Sequence, residues 1–203
     1  MNRRVLLVGA AAVVAAAAVI VVATGAGAGS DSASAVLRTA EGTEIGKVSF
    51  AAKSDRTEVT VHLDNVPEAA GLDAFHGFHV HANDNAENGE GCVADAAKPS
   101  NTWFVSADGH LKDEGQNHGA HRGDLPSVYV SPDGAVETRF LVDRVDADEL
   151  DGRTVILHAK ADNFGNVPVG AATNQYEANT AEATTLTANT GNAGDRIACG
   201  VIE

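Results

Sequence analysis

Residues 75–81 read Phe-His-Gly-Phe-His-Val-His. Successive side chains on an extended strand point to opposite faces, so His79 and His81 share one face while Phe78 and Val80 take the other. Imidazole is a ligand for copper and zinc, and two on one strand face make half of a metal site. His110, His118, His121 and His158 lie on strands or loops where they could join the pair, and Asp124 follows His121 by three residues. Three histidines and one aspartate form a closed tetrahedral set for zinc. His62, on the polar face of a strand, is expected to be solvated, and His76, next to Gly77, to make structural hydrogen bonds.

The elements that must hold these residues read as short strands. Val59, Val61 and Leu63 alternate with Thr60, His62 and Asp64, the period of a half-buried strand. Residues 127–131 and 135–143 flank Pro132-Asp133-Gly134 and predict a hairpin, with Val136, Thr138, Phe140 and Val142 on one face. Further strands are expected at 154–161 and 196–202, and no long amphipathic helix is visible. Two long irregular stretches, 82–126 and 162–195, separate the strands; loops of that length in a compact domain usually carry function.

The runs 75–92, Ser106-Ala107-Asp108-Gly109-His110, His118-Gly119, 121–126, His158-Ala159-Lys160-Ala161-Asp162 and 191–201 resemble, in order, the copper/zinc superoxide dismutases. The resemblance implies an all-β fold, an eight-stranded Greek-key β-barrel or sandwich with two long functional loops. It implies one copper per chain on His79, His81, His110 and His158, and one zinc on His110, His118, His121 and Asp124. Asp162 matches a carboxylate that links one histidine from each metal site. Arg196 matches the arginine that orients superoxide beside the copper, and His110 the bridging ligand that also handles a proton. Cys92 and Cys199, the two cysteines of the chain, match the family's disulfide.

The implied activity is conversion of superoxide to O2 and hydrogen peroxide; a cell-surface copper-binding or delivery module without turnover is the alternative. Three features depart from the family pattern. Two residues separate His118 from His121, where the zinc loop is generally longer, so zinc is a weaker expectation than copper. Trp103 belongs to an insertion between Cys92 and His110 and is expected to cover the underside of a loop. The loop 163–190 is enlarged, lacks lysine and carries Glu177 and Glu182.

At the N-terminus, Arg3 and Arg4 precede an apolar run over residues 5–23 and a Gly/Ala/Ser-rich linker. This reads as an export signal, cleaved near residues 26–28 or 33–35, or retained as a membrane anchor through residues 5–23. Residues 1–35 are therefore assigned to export and linker, and 36–203 to one folded domain, exported to the periplasm, the exterior or the cell envelope. A net charge of −14 excludes nucleic acid as a partner. The same charge repels anions at long range, so a superoxide site needs a local cation such as Arg196. The resemblance also leaves a homodimer open.

Overall fold

The computed structural model describes residues 31–167 and 180–203. Residues 5–23, the proposed export segment, and 168–179, which include Glu177, lie outside the described residues.

Nine strands and one α-helix form among the described residues. β1 (Ser32–Thr39), β2 (Glu44–Lys53) and β3 (Arg56–Leu63) make a meander. β4 (Ala74–His76), β5 (Phe78–His81), β6 (Val128–Val130), β7 (Val136–Val142), β8 (Thr154–His158) and β9 (Arg196–Val201) follow, with α1 (Ala181–Thr190) before β9. The alternation seen in β3 is real: Thr57, Val59, Val61 and Leu63 are buried while its other residues are partly or fully exposed.

A closed eight-stranded barrel is not what these strands build. Seven form an open, curled antiparallel sheet in the order β5-β8-β9-β1-β2-β3-β7, and β4 and β6 pair separately. The chain changes sheets at Gly77, whose N–H bonds to Lys160 O while its carbonyl accepts from His158 N–H. The predicted turn at 132–134 forms, with Ser131 N–H donating to Ala135 O. Beyond it the two strands part, β6 to β4 and β7 to β3. Curling still brings both ends of the sheet onto one core, where Phe78 and Val80 of β5 join Val136 and Val142 of β7.

The outer edge of β5 is covered by a loop. Val80 N–H donates to Gly123 O, and Leu111 N–H and Leu125 N–H donate to Val80 O and Phe78 O. A Cβ at position 123 would stand 2.1 Å from Val80 O, so only glycine lets the loop lie this close. This contact carries the metal-type residues of the first long loop to the strand bearing His79 and His81.

The expectation of membrane anchoring is corrected. Among the described residues no helix is long and apolar enough to cross a membrane.

Cys92 and Cys199 form the disulfide, with Cα atoms 5.6 Å apart. It ties the first long loop to β9 and is packed by Phe104, Ala107 and Ile156, with Trp103 partly buried against them. The Trp103 indole N–H is shared between the carbonyls of Asp95 and Lys98, a structural role as expected.

The bridge spans 107 residues of sequence. Replacing Cys92 and Cys199 together by Ala is expected to lower the unfolding free energy by about 3–5 kcal/mol, since a loop this long loses much entropy when closed in the unfolded chain. Denaturant titration of the variant against the oxidised protein reads this, and coincident midpoints would refute it.

Candidate metal centre

His79, His81, His110 and His158 converge. Each offers one nitrogen to a group whose members all lie within 4.8 Å of one another, and all four are buried. His79 and His81 come from β5, and His158 from the end of the adjacent β8. His110 is brought to them by a single bridge to His81.

The hydrogen bonds decide which nitrogen each ring can offer. His79 Nε2 lies 2.8 Å from Asp162 Oδ1. His81 Nδ1 lies 2.9 Å from Asp108 O, and His158 Nδ1 3.1 Å from Gly194 O. Carboxylates and carbonyls only accept here, so each of these nitrogens carries the proton and the other holds a lone pair. The rings therefore present Nδ1 of His79 and Nε2 of His81 and His158. His79 Nδ1 is buried without a hydrogen-bond partner, and His81 Nε2 and His158 Nε2 stand 3.3 Å apart. Ligands at about 2.0 Å around one ion are about 3.3 Å apart when tetrahedral. Lone-pair nitrogens gathered away from water are a site that fits a soft, imidazole-loving ion such as copper.

His110 faces two ways. Its Nδ1 lies 2.8 Å from Asp124 Oδ1 and 3.3 Å from His121 Nδ1, and Asp124 Oδ1 is 3.3 Å from the same His121 nitrogen. These three residues form a second group with the spacing of a zinc shell. The other Asp124 oxygen accepts from Gly119 N–H at 2.6 Å and His121 N–H at 3.1 Å, which aims the carboxylate.

His118 stands apart from this triad. Its nitrogens group with His79 and Asp124 rather than with His110 and His121. His118 Nε2 lies 3.2 Å from Asp162 Oδ1, and Nδ1 3.4 Å from Asn166 Oδ1. The C-terminus of α1 holds it there. His118 N–H donates to Ala188 O at 2.7 Å, and a Cβ on Gly191 would fall 2.2 Å from the ring. Asp162 Oδ1 thus lies between His79 and His118, and Ser127 Oγ donates to its other oxygen at 2.5 Å.

Arg196 donates to Asp108 O at 2.5 Å and to Phe104 O. It shares the Asp108 carbonyl with His81, which sets the guanidinium beside the histidine cluster. Sequence reasoning missed these carbonyl acceptors and that of Gly194, because main-chain oxygens leave no residue-type signal; it also missed the side chains of Ser127 and Asn166, which stand in no recognisable spacing to the histidines. His76 bonds the carbonyls of His158 and Gly71 as a structural residue, and exposed His62 pairs with Glu137 and Asp64.

Charge in the cluster follows burial. Burial, reinforced by neighbouring histidines and Arg196, holds His81 well below an ordinary imidazole. His158 is lowered by burial and by His79 and His110, and burial brings His110 down to about 3 despite Asp124. Burial would raise Asp124, but the His110 hydrogen bond and the surrounding histidines hold it at about 2. Asp162 is likewise held far below the carboxylate range, against burial, by His118, His79 and Ser127.

A family profile of the copper/zinc superoxide dismutases matches residues 44–202. The chain belongs to the copper/zinc superoxide dismutase family. The Cu-Zn superoxide dismutase of Mycobacterium tuberculosis is 33% identical over 180 residues, covering 86% of this chain and 71% of that protein. That of Mycolicibacterium paratuberculosis is 33% identical over 186 residues, covering 89% and 78%. Among solved structures, a double mutant of a SOD-like protein from Bacillus subtilis aligns with TM-score 0.56 at 25% identity, over 82% of this chain and 94% of that one. Family membership makes this chain a dismutase-class enzyme with a histidine-rich metal site. The disulfide accords with an extracytoplasmic location.

In the metal-free dismutase, His81, His110, His121 and His158 resist protonation when folded, while His118 shifts the other way. An unfolded histidine titrates near 6.5, so stability present above that pH is lost as pH falls from 6.5 toward 3. At pH 5, His110 alone accounts for about 2 kcal/mol. The urea midpoint of the metal-free protein is expected to be lower at pH 5 than at pH 7. Equal midpoints would contradict buried neutral rings.

Proposed function

We propose that this chain disproportionates superoxide at the His79, His81, His110 and His158 cluster, outside the cytoplasm, and so protects the cell envelope from external superoxide. The observation that carries this is the set of ring nitrogens left by the hydrogen bonds of His79, His81 and His158, next to Arg196. The segment before β1 acts in export, and the dismutase domain begins at Ser32 rather than at residue 36, because Ala33 and Ala35 of β1 belong to its core.

Copper, when bound to the four histidines, supplies the one-electron chemistry by which one superoxide leaves as O2 and a second takes an electron and two protons to leave as hydrogen peroxide. Arg196 attracts and orients the anion, a role its two carbonyl tethers suit because they fix the plane of the guanidinium. It offers a local positive charge inside a chain of net charge −14. Nδ1 of His110 is engaged by Asp124, so Nε2 is the nitrogen that would take up a proton and pass it to the departing peroxide when copper does not hold it.

His110, His121 and Asp124 would hold zinc, with His118 as the fourth ligand only if its ring leaves Asp162. The zinc half is therefore the weaker of the two. Asp162 fixes the tautomer of His79, and through His118 it couples that choice to the second group.

Elemental analysis and dismutation assays before and after metal loading test this reading. Activity is expected to track one copper per chain, and His81→Ala or His158→Ala to reduce turnover by at least about a thousandfold, because a missing ligand leaves the site incomplete. Full activity in His158→Ala, or stoichiometric copper without activity, would overturn the reading; the second result would favour a copper-holding module.

A further inference from the structure

The two carbonyls that receive Arg196 belong to residues in unusual backbone conformations. Phe104 is left-handed at φ 54°, ψ 26°, and Asp108 lies at φ 63°, ψ −156°, in a region otherwise used by glycine. They bracket the 3-10 turn Val105–Ala107. A residue with a Cβ persists in such a conformation only where its surroundings over-determine it. For Phe104 the restraint is packing, since its ring is buried against the disulfide cluster.

For Asp108 the restraint is its own carboxylate. Oδ2 accepts from the backbone N–H groups of Asp84 at 2.7 Å and Asn85 at 2.8 Å, and Oδ1 accepts from Asn88 Nδ2 at 2.7 Å. The loop that supplies these donors is itself held to the turn before β8. Asn83 Nδ2 donates to Gly152 O at 2.6 Å, and Arg153 donates to Ala82 O at 2.5 Å and Asp84 Oδ2 at 3.2 Å. On the other side of the same residue, the main-chain oxygen accepts from His81 Nδ1 and Arg196 Nη2.

We infer that Asp108 is a positioning residue for the reaction: its carboxylate, clamped by Asp84, Asn85 and Asn88, holds its carbonyl in the orientation that serves both Arg196 and His81. This rests on the reading of His81 as a metal ligand and Arg196 as the anion's partner. Without the clamp, a side chain at this φ relaxes by turning the peptide. That turn withdraws one acceptor from the guanidinium and from the ring whose tautomer it sets. Glycine would tolerate the conformation without being held in it.

Azide, a small anion that ligates Cu(II), is the probe. Its affinity for the copper-loaded protein is measured by titration of the charge-transfer band, alongside the Cu(II) EPR spectrum. Asp108→Ala is expected to weaken azide about tenfold and to alter the EPR parameters, as loss of charge-assisted hydrogen bonds at both ends of the clamp implies. Asp108→Gly, which relieves the strain, should weaken azide about threefold, and exposed Asn88→Ala, which removes one donor of three, about twofold. Wild-type affinity and EPR in Asp108→Ala would overturn the inference; if that variant does not fold, the same result in Asp108→Gly overturns it. Arg196→Ala separates the two levels. Unchanged azide affinity there would sink the Arg196 reading and this inference with it, whereas weakened azide in Arg196→Ala with wild-type Asp108 variants would sink this inference alone.

Discussion

A histidine can give a metal only one nitrogen if the other is engaged by the protein, and that constraint organises this molecule. Asp162, buried and ionised, fixes His79 through Nε2, while the carbonyls of Asp108 and Gly194 fix His81 and His158 through Nδ1. One ring therefore offers the opposite nitrogen from the other two. The acceptors come from the first long loop and from the two ends of the second, so each must be held against the strands that carry the histidines. The positive φ of Asp108, the short approach at Gly123 and the helix cap at Gly191 are local costs of that requirement.

The open sheet suits the same need. In a closed barrel the edge of β5 would be paired with another strand along its length. Here that edge takes hydrogen bonds from residues 111, 123 and 125 instead, and the loop carrying His110, His121 and Asp124 lies directly against the strand carrying His79 and His81. The change of sheet at Gly77 releases β5 from β4 and makes the edge available.

Much of this was legible in the chain. The alternation in β3, the His-x-His pair and the order of the runs from residue 75 to residue 201 pointed to the strands, the histidines, Asp162 and Arg196, because side-chain type and spacing carry that information. The sheet opening was not legible, since it depends on where Gly77 directs two hydrogen bonds rather than on any pattern of polarity. Nor were the acceptors for His81, His158 and Arg196, which are all main-chain oxygens. Asp108 was visible as part of a run but silent about its role, because an aspartate beside a glycine usually signals a turn.

His118 shows how two departures from the family pattern act together. With two residues between His118 and His121, the first loop is too short to wrap a full ligand set by itself. The second loop supplies α1, capped at its start by Thr180 and ended by Gly191 in the left-handed conformation. The last turn of a helix has carbonyls without partners. One of them, Ala188 O, accepts the His118 N–H, and Asn166 Nδ2 takes the His118 carbonyl. The histidine is thereby fixed by main-chain bonds at both its N–H and its carbonyl before any metal is considered, with its ring turned to Asp162. In this chain the helix holds it against Asp162, whose Oδ1 it shares with His79, and leaves the second group with three converging ligands.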